Sequence, residues 1–355
     1  MRIFFAGAGT AGHVEPALAV ARWLRQNSPE LELHFLGTPE GVETRLVPPA
    51  EFPLHLISKS PFPRRPSVSA LTWPFRFRKT LRQTQDILVG TDLVIGFGGY
   101  VAAPAYLAAR RAGIPIIAHE ANAKTGLANK LARRCGATLL FALSDKEGER
   151  VGIPLRPEIV DLVALTRADR LTTKGTALRA MNLDPLAPTI LVFGGSLGSV
   201  KFNETIAEAQ RDISHLGFQI IHAVGGKNEL PVAQAGYFPT SYIEDMASAY
   251  AASDLVISRA GAVTVTETGV LGIYTLYIPL PIGNGEQSEN AKVVVEAGGG
   301  EIINDADFNA DWLRSNFTRV MLAAQQYFAS EARVDFPLDA SAEIGRRALK
   351  VLADE

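Results

Sequence analysis

A glycine-rich loop at the start of the chain carries the first residues whose types and spacing could do chemistry. It contains Gly7, Gly9 and Gly12 and ends on His13. An apolar run precedes the loop and a helical pattern follows it, an order typical of a nucleotide-binding α/β domain. Glycines let backbone N–H groups approach a ligand closely, and the helix behind them adds a partial positive charge. The loop is therefore a candidate site for an anionic ligand.

The Gly-x-Gly-x-x-Gly spacing also fits a dinucleotide fingerprint, so an NAD-dependent oxidoreductase is one alternative. A dinucleotide site should have an acid at the end of its second strand, where the acid binds the ribose. The second strand pattern ends at Gly37, and the first acid, Glu40, lies beyond it in a Pro/Gly loop. The displaced acid and the unexpected His13 weigh against this alternative.

His13 itself has two interpretations. A histidine at a helix N-terminus has its charged form disfavoured by the helix dipole. The neutral imidazole can act near pH 7 as a general base or as a hydrogen-bond donor. A capping or packing histidine would have the same spacing, so the residue type alone leaves both interpretations open.

Three segments of the second half have residue types suited to a nucleotide sugar. Residues 194–199 offer backbone donors and two hydroxyl groups, without the Gly-Lys-Ser/Thr ending of a P-loop. Further on, Arg259 or the neighbouring loop amides could face a pyrophosphate, and Glu267 could bind a ribose diol. A later polar loop could present Gln287 to sugar hydroxyls. Taken singly, each segment is also compatible with an ordinary turn or a solvated helix.

Alternating strand and helix patterns must position these residues. Short apolar runs separated by helices indicate parallel sheets covered on both faces, and the second half repeats the pattern of the first. Because the carboxyl ends of parallel strands line the ligand crevice, His13, residues 98–100 and residues 119–122 are expected to gather at one edge. The predicted strands lie at residues 3–6, 31–37, 92–96, 114–118, 137–141, 189–193, 219–223, 255–258, 274–279 and 300–303.

Length and composition narrow the class of protein. A chain of 355 residues is expected to form two domains, with a crossing near residues 152–157. The 35 Lys and Arg nearly balance the 37 Asp and Glu, so no overall field attracts nucleic acid. The single cysteine, Cys135, excludes an intramolecular disulfide and suits the cytosol. No metal-ligand spacing, membrane-spanning window or signal peptide is evident.

Residues 52–85 differ from the rest in composition. They include seven basic residues, no acid, and bulky apolar residues interleaved among them. Their prolines, including Pro74, predict interrupted regular structure. Such a mixture suits a surface that contacts anionic lipid headgroups, although a solvated helix with core-facing aromatic side chains would have the same composition. The basic residues are Lys59, Arg64, Arg65, Arg76, Arg78, Lys79 and Arg82, and the apolar ones are Phe62, Leu71, Trp73, Phe75 and Phe77.

Seven motifs, in order along essentially the whole chain, resemble the MurG family of peptidoglycan glycosyltransferases. The resemblance implies an α/β fold of the glycosyltransferase B type, with two Rossmann-like domains whose parallel sheets face across a cleft. The N-terminal domain would span residues 1–157 together with a C-terminal helix at 339–355, and the C-terminal domain residues 158–338. The motifs lie at residues 8–13, 96–101, 119–122, 152–156, 194–198, 259–267 and 286–291.

The resemblance also implies a reaction, the inverting transfer of N-acetylglucosamine from UDP-N-acetylglucosamine to the 4-hydroxyl of lipid I, which makes lipid II. The C-terminal domain would hold the donor, with the Ile243 backbone on the uracil, Glu267 on the ribose and Gln287 on the sugar. The residues implied on the diphosphate side are Ser196, Arg156 and Ala262. The residues implied for the N-terminal, acceptor-binding domain are Thr10, Ala11, Gly12, His13 and Asn122, of which His13 and Asn122 are the candidate catalytic residues.

No metal or other cofactor is implied, because helix N-termini and arginine can stabilise a departing diphosphate. A lipid-linked acceptor stays in the bilayer, so residues 62–82 become the expected docking face for an anionic membrane surface. The enzyme would then be a peripheral protein at the cytoplasmic face of the cell membrane. The chain departs from the family pattern at Ala8 and Ala11, where glycine is common, and at Glu286, where many members have glutamine.

Two further alternatives stay open on the sequence. One is a related glycosyltransferase B enzyme that uses a different acceptor. The other is a sugar-nucleotide-binding protein without catalytic activity, which would bind UDP but show no turnover.

Overall fold

The structure is a computed structural model that describes residues 1–60, 68–143, 148–195, 198–281 and 284–354. Its contacts divide the chain into two compact units, one formed by Met1–Arg156 with Pro337–Glu355 and the other by Pro157–Phe336. The strands are β1 (Arg2–Gly7), β2 (Glu32–Gly37), β3 (Leu54–Leu56), β4 (Leu93–Gly98), β5 (Ile116–Glu120), β6 (Thr138–Phe141), β7 (Glu149–Arg150), β8 (Thr189–Phe193), β9 (Gln219–Ala223), β10 (Tyr237–Thr240), β11 (Leu255–Ser258), β12 (Thr275–Tyr277) and β13 (Gly300–Ile302).

Helices follow most of the strands and cover both faces of each sheet. They are α1 (Ala11–Asn27), α2 (Glu43–Leu46), α3 (Val68–Ile87), α4 (Ala102–Ala112), α5 (Leu127–Arg134), α6 (Pro157–Ala168), α7 (Arg170–Ala180), α8 (Val200–His215), α9 (Met246–Ala252), α10 (Ala262–Leu271), α11 (Glu286–Glu296), α12 (Ala310–Ala329) and α13 (Ala340–Ala353), with a 3-10 turn at Pro48–Ala50.

The first unit is built on a seven-stranded parallel sheet in the order β3-β2-β1-β4-β5-β6-β7. One core, which includes Phe5, packs α1 and α13 against the sheet, and a second core around Phe4 and Tyr106 lies on the opposite face. The strand order reverses between β1 and β4, where Gly7 pairs with Gly98. A ligand crevice is expected at such a reversal, outside the carboxyl ends of the strands.

The second unit repeats this plan with a six-stranded parallel sheet in the order β10-β9-β8-β11-β12-β13. Its core joins Ile190 and Ile257 of the sheet to Phe202 of α8 and Leu313 of α12. The reversal here falls between β8 and β11, and it places the loops after Phe193 and Ser258 next to each other. The prediction of two Rossmann-like domains with parallel sheets is confirmed.

Several elements differ from the predicted ones. β5 spans Ile116–Glu120, where residues 114–118 were predicted, so His119 and Glu120 are buried residues of the strand. The short strands β3 and β10 and the helices α6 and α7 were not predicted. The expectation that Pro74 interrupts regular structure is wrong, because α3 continues through it; proline removes one backbone donor there without ending the helix. None of the described helices is long and apolar enough to cross a membrane.

Candidate active site

The first glycine loop connects β1 to α1 and places His13 in the first turn of that helix. Thr10 is the N-cap residue, and its side chain makes no capping bond to the helix backbone. Instead, the Thr10 hydroxyl lies 3.1 Å from His13 Nδ1. The loop therefore orients the imidazole through a neighbouring side chain and leaves the first-turn N–H groups without a side-chain cap.

The loop after β4 packs directly against this first loop. Gly98 and Gly99 have φ values of +98° and +83°, a region that favours glycine. A Cβ atom on Gly98 would lie 3.2 Å from His13 Nε2, and one on Gly99 would overlap the Ala8 carbonyl. The two glycines therefore allow the loops after β1 and β4 to meet, with the His13 ring over Gly98.

The surroundings of His13 keep its imidazole neutral at pH 7. Burial lowers the pKa of His13 below its usual value of 6.5, because the charged form loses hydration. A backbone hydrogen bond at Ala8 and the charges of Glu120 and Glu43 raise the pKa and offset part of this effect. A neutral imidazole in this position has the protonation state that a general base needs.

Glu43 is a residue of this site that the sequence analysis missed. It is fully buried at the start of α2. One carboxylate oxygen accepts hydrogen bonds from the Thr38 N–H at 2.7 Å and the Thr38 hydroxyl at 3.0 Å, and the other accepts the Gly9 N–H at 2.9 Å. The Gly9 donor, which a dinucleotide loop would offer to a phosphate, is thus already bonded to the chain's own carboxylate.

Asn122 is held by the buried carboxylate of Glu120, at the carboxyl end of β5. Glu120 Oε1 accepts the backbone and side-chain N–H groups of Asn122 at 3.0 and 3.2 Å. Its Oε2 accepts the Gly126 N–H at 2.7 Å and the Asn129 amide at 2.9 Å, and so also fixes the start of α5. Glu120 therefore determines where the predicted Asn122 can act.

His119 has a structural environment. It is buried, and its Nε2 donates to the Gly152 carbonyl at 2.8 Å. Because a carbonyl can only accept, Nε2 carries the proton. Burial lowers the pKa of His119 to about 4, so this ring stays neutral at pH 7. Its hydrogen bond joins β5 to the segment at Gly152. Of the residues expected at this edge, Gly98 lies against the His13 ring, Asn122 is held by Glu120, and His119 is a buried residue of β5.

In the second unit, the loops after β8 and β11 form the corresponding edge. Ser196 lies outside the described residues, so its predicted role stays a prediction. Gly195 and Gly198 have φ values of +93° and +75°, and Ser199 caps α8 by accepting the Phe202 N–H at 3.4 Å. The backbone of this loop is therefore turned at its two described glycines with positive φ, Gly195 and Gly198.

Arg259 is engaged in holding these loops together. Its guanidinium donates to Asp305 Oδ1 at 2.5 Å and to the Ile278 carbonyl at 3.1 Å. It also donates to the Ser199 hydroxyl at 3.2 Å, which connects the two loops. Of the two predicted possibilities for the pyrophosphate, the loop amides fit better than the arginine. In particular, Gly261 and Ala262 begin α10 without a side-chain cap.

Glu267 is not the solvated glutamate of the alternative interpretation. It is 3% exposed, on α10, and its Oε2 accepts a hydrogen bond from the Tyr250 hydroxyl at 3.0 Å. Tyr250 is itself buried on α9. The carboxylate is thus held in one orientation, as a ribose-binding acid needs to be.

The remaining predicted donor residues lie in loops and helix starts of the same unit. Ile243 is partly buried in the turn between β10 and α9, where the Thr240 hydroxyl donates to the Tyr242 carbonyl at 2.9 Å. Gln287 lies in the first turn of α11 and accepts the Leu280 N–H at 2.9 Å. Asn290, also on α11, donates to the Ala260 carbonyl at 3.2 Å and ties the helix to the Arg259 loop.

The structure therefore separates the predicted residues by unit. Thr10, Ala11, Gly12, His13 and Asn122 belong to the first, and Ile243, Ala262, Glu267 and Gln287 to the second. Arg156 is the last residue of the first unit before α6. Among the described residues, no three His, Cys, Asp or Glu side chains are arranged to hold a metal ion.

Comparison with known proteins assigns the family. A sequence model of the glycosyltransferase family 28 N-terminal domain matches residues 3–139, and one of the family's C-terminal domain matches residues 189–343. The crystal structure of Acinetobacter baumannii MurG is similar with a TM-score of 0.69 and 28% identity, covering 98% of this chain and 99% of that one. These similarities confirm the glycosyltransferase B fold predicted from the motifs.

Two curated relatives are more similar in sequence. The UDP-N-acetylglucosamine--N-acetylmuramyl-(pentapeptide) pyrophosphoryl-undecaprenol N-acetylglucosamine transferase of Streptomyces coelicolor is 44% identical, covering 98% of this chain and 94% of that protein. The Corynebacterium glutamicum (strain R) protein of the same name is 48% identical, covering 88% of this chain and 87% of that protein. The chain is therefore a glycosyltransferase that belongs to family 28, in the family of these N-acetylglucosamine transferases.

Proposed function

We propose that this chain transfers N-acetylglucosamine from UDP-N-acetylglucosamine to lipid I and so forms lipid II for peptidoglycan synthesis. The observation that carries the proposal is the similarity to transferases named for this reaction, which extends over both units. The NAD-dependent oxidoreductase alternative does not agree with this family, and the Gly9 N–H that it needs is bonded to Glu43.

The second unit would hold the donor. The orientation of Glu267 by Tyr250 supports a contact with the ribose diol. The uncapped start of α10 at Ala262 supports diphosphate binding, because a helix N-terminus attracts anions. Ile243 would contact the uracil through its backbone and Gln287 the sugar, while Ser196 and Arg156 would lie beside the phosphates.

The first unit would bind the acceptor. Thr10, Ala11 and Gly12 would contribute the uncapped N–H groups of the α1 start, and Asn122, fixed by Glu120, would orient the sugar. In the transfer, the acceptor 4-hydroxyl oxygen bonds to the anomeric carbon while the bond from that carbon to UDP breaks. His13 would take the hydroxyl proton, and UDP would leave with the electron pair of the broken bond.

A membrane surface is the second part of the proposal. On α3, Leu71 and Phe75 are 77% and 79% exposed, one helical turn apart. The basic side chains of Arg76, Arg78, Lys79 and Arg82 on this helix are also exposed. This combination supports docking of the enzyme, as a peripheral protein at the cytoplasmic face, on anionic lipid.

Only part of the predicted docking face enters this argument. Phe62, Arg64 and Arg65 lie outside the described residues. Trp73 and Phe77 are partly buried and stack with ring centroids 4.9 Å apart. Phe77 packs against the core around Phe4 and Tyr106, so the alternative of core-facing aromatic side chains holds for Phe77 and not for the exposed Phe75.

The test is transfer by the full-length protein with radiolabelled UDP-N-acetylglucosamine and lipid I in detergent micelles. The expected result is a labelled lipid product with a β-linkage, formed in equal amount to the UDP released. Transfer to another acceptor with none to lipid I would favour the related-enzyme alternative. UDP binding without turnover on any acceptor would favour the catalytically silent one.

A further inference from the structure

The carboxylate of Glu43 occupies a site in the first unit that the surrounding backbone is shaped to hold. A Cβ atom on Gly37 would lie 2.6 Å from Glu43 Cγ, and one on Gly41 would overlap the carboxylate. The absence of side chains at these two glycines makes room for the group. Burial of a carboxylate is costly unless its oxygens are hydrogen-bonded, and Thr38 and Gly9 supply three such bonds.

The bond to Gly9 distinguishes this loop from a phosphate-binding loop. Gly9 has a φ of +96°, so its peptide adopts a conformation that other residues rarely take. In phosphate-binding loops, backbone N–H groups at this position point at the ligand. Here the N–H points at Glu43, and a phosphate brought to the same donor would meet the charge of that carboxylate. The chain's own acid thus fixes the loop before any ligand binds.

We propose that Glu43 is a positioning residue for the transfer reaction: by holding the Gly9 N–H, it fixes the first glycine loop and, through it, the His13 side chain. The inference rests on the proposed function, because it assigns Glu43 to the acceptor side of that reaction. Glu43 is buried and bonded to the chain itself, so the proposed role involves no contact with the substrate. It acts through the loop that begins α1 and through its charge.

That charge gives Glu43 a second, separable effect. The charged groups that face His13 are Glu43, from α2, and Glu120, from β5, and both raise the pKa of His13 against the lowering effect of burial. Removal of the Glu43 charge must therefore lower the pKa of His13 further. The acid limb of the rate profile, where His13 becomes protonated, would then move to lower pH. A residue that only stabilised the fold would change the melting temperature and leave this limb in place.

The substitution Glu43→Gln tests the proposal with little change of shape. Its single amide oxygen can still accept from Thr38, while its NH2 group faces the Gly9 N–H, donor against donor. We expect kcat for transfer to lipid I to fall at least tenfold, and about 100-fold if the loop shifts by about 1 Å. The Kd for UDP-N-acetylglucosamine should stay within twofold, because the residues proposed to bind the donor lie in the second unit or, for Arg156, at the residue that directly precedes it. Glu40→Gln is the matched control, because Glu40 is exposed on the loop between β2 and α2. This variant should have the same kcat, Kd and acid limb as the wild type.

Two results would overturn the proposal. One is a Glu43→Gln enzyme with kcat within twofold of the wild type and the same acid limb. The other comes from the wild type and does not depend on folding of the variant: nuclear magnetic resonance should show slow hydrogen exchange at the Gly9 amide, and fast exchange would contradict the bond to Glu43. Failure of the proposed function is distinguishable, because it would appear as a wild-type enzyme that makes no lipid product.

Discussion

The hydroxyl of Tyr250 donates a hydrogen bond to Glu267 Oε2 at 3.0 Å, and both residues are buried. Glu267 is the predicted ribose ligand, whereas Tyr250 lies outside the seven motifs and had no predicted role. Because the bond joins α9 to α10, the carboxylate is oriented before a nucleotide arrives. Preorganisation of this kind improves affinity by reducing the ordering that binding requires.

Replacement of Tyr250 by Phe should weaken donor binding while the fold is kept. We expect the Kd for UDP-N-acetylglucosamine, measured by isothermal titration calorimetry, to rise about five- to tenfold, which corresponds to about 1–1.4 kcal/mol for one lost hydrogen bond. Tyr274→Phe is the control, because the Tyr274 hydroxyl also bonds a glutamate, Glu301, at 2.6 Å. An equal loss of affinity in both variants would show that the effect is not specific to Glu267.

Replacement of Glu267 by Ala should have the larger effect, because it removes the ribose contact itself. We expect the Kd for UDP-N-acetylglucosamine to rise at least tenfold, about 1.4 kcal/mol or more. Uridine diphosphate without the sugar should lose affinity to a similar extent, since it carries the same ribose. Glu296→Ala, at the exposed end of α11, is the control. An unchanged donor affinity in Glu267→Ala would remove Glu267 from the donor site.

Replacement of His13 by Ala should lower turnover far more than donor affinity. General-base catalysis contributes about 10²–10⁴-fold, so kcat should fall by at least about 100-fold while the Kd for UDP-N-acetylglucosamine stays within twofold. His215→Ala, at the exposed end of α8, is the control for loss of an imidazole. Turnover of His13→Ala within about twofold of the wild type would exclude His13 as the base.

The wild-type rate should persist to a lower pH than an ordinary histidine would allow. A base works in its neutral form, and burial lowers the pKa of His13 below 6.5, so protonation and loss of activity occur only at lower pH. Single-turnover rates between pH 5 and 8 measure this limb. An acid limb centred above pH 6.5 would contradict the assignment of the limb to His13.

The regular parts of the fold could be predicted from the sequence because their signals are local. The central strands β1, β4, β8 and β11 are apolar runs bounded by glycine or helix patterns. The edge strands β3 and β10 were missed because they are short, and Pro239 in β10 is unusual within a strand. The helices α6 and α7 were missed because neither sequence has a clear apolar stripe: α6 is mostly apolar, and α7 is mostly polar.

The sequence predicted those site residues that lie within short contiguous motifs, and it missed Glu43, which lies in none of them. Glu43 bonds Gly9 across 34 residues of chain, and no spacing rule connects the two. The predicted strand at residues 114–118 stopped before His119 and Glu120 because polar residues commonly mark the end of an apolar strand. In the structure both side chains are buried and hydrogen-bonded: His119 bonds the Gly152 carbonyl, and Glu120 accepts a hydrogen bond from the Asn129 amide. The position of Glu43 and the extension of β5 through Glu120 both depend on tertiary hydrogen bonds, which a linear sequence pattern does not show.

The exposed face of α3 provides the test of membrane docking. Thr80 anchors the helix through a hydrogen bond to the Ser58 carbonyl at 3.0 Å, and Gln83 accepts the Ser58 N–H at 3.1 Å, so substitutions on the opposite face should leave the fold intact. Each basic residue near an anionic surface contributes about 1 kcal/mol. Reversal of Arg76, Arg78 and Lys79 to Glu should therefore weaken binding to phosphatidylglycerol vesicles at least about 100-fold in a sedimentation assay.

The control for this charge reversal is an equal change on the second unit. Arg179, Arg211 and Lys227 are exposed there, and their replacement by Glu alters the net charge of the protein by the same amount. This variant should sediment with the vesicles nearly as the wild type does. A further variant, Leu71→Ser with Phe75→Ser, keeps the charges and should lose binding through its apolar contacts alone. If the α3 charge variant still sediments like the wild type, α3 is not the docking face, because three reversed charges on that face would repel the same lipid.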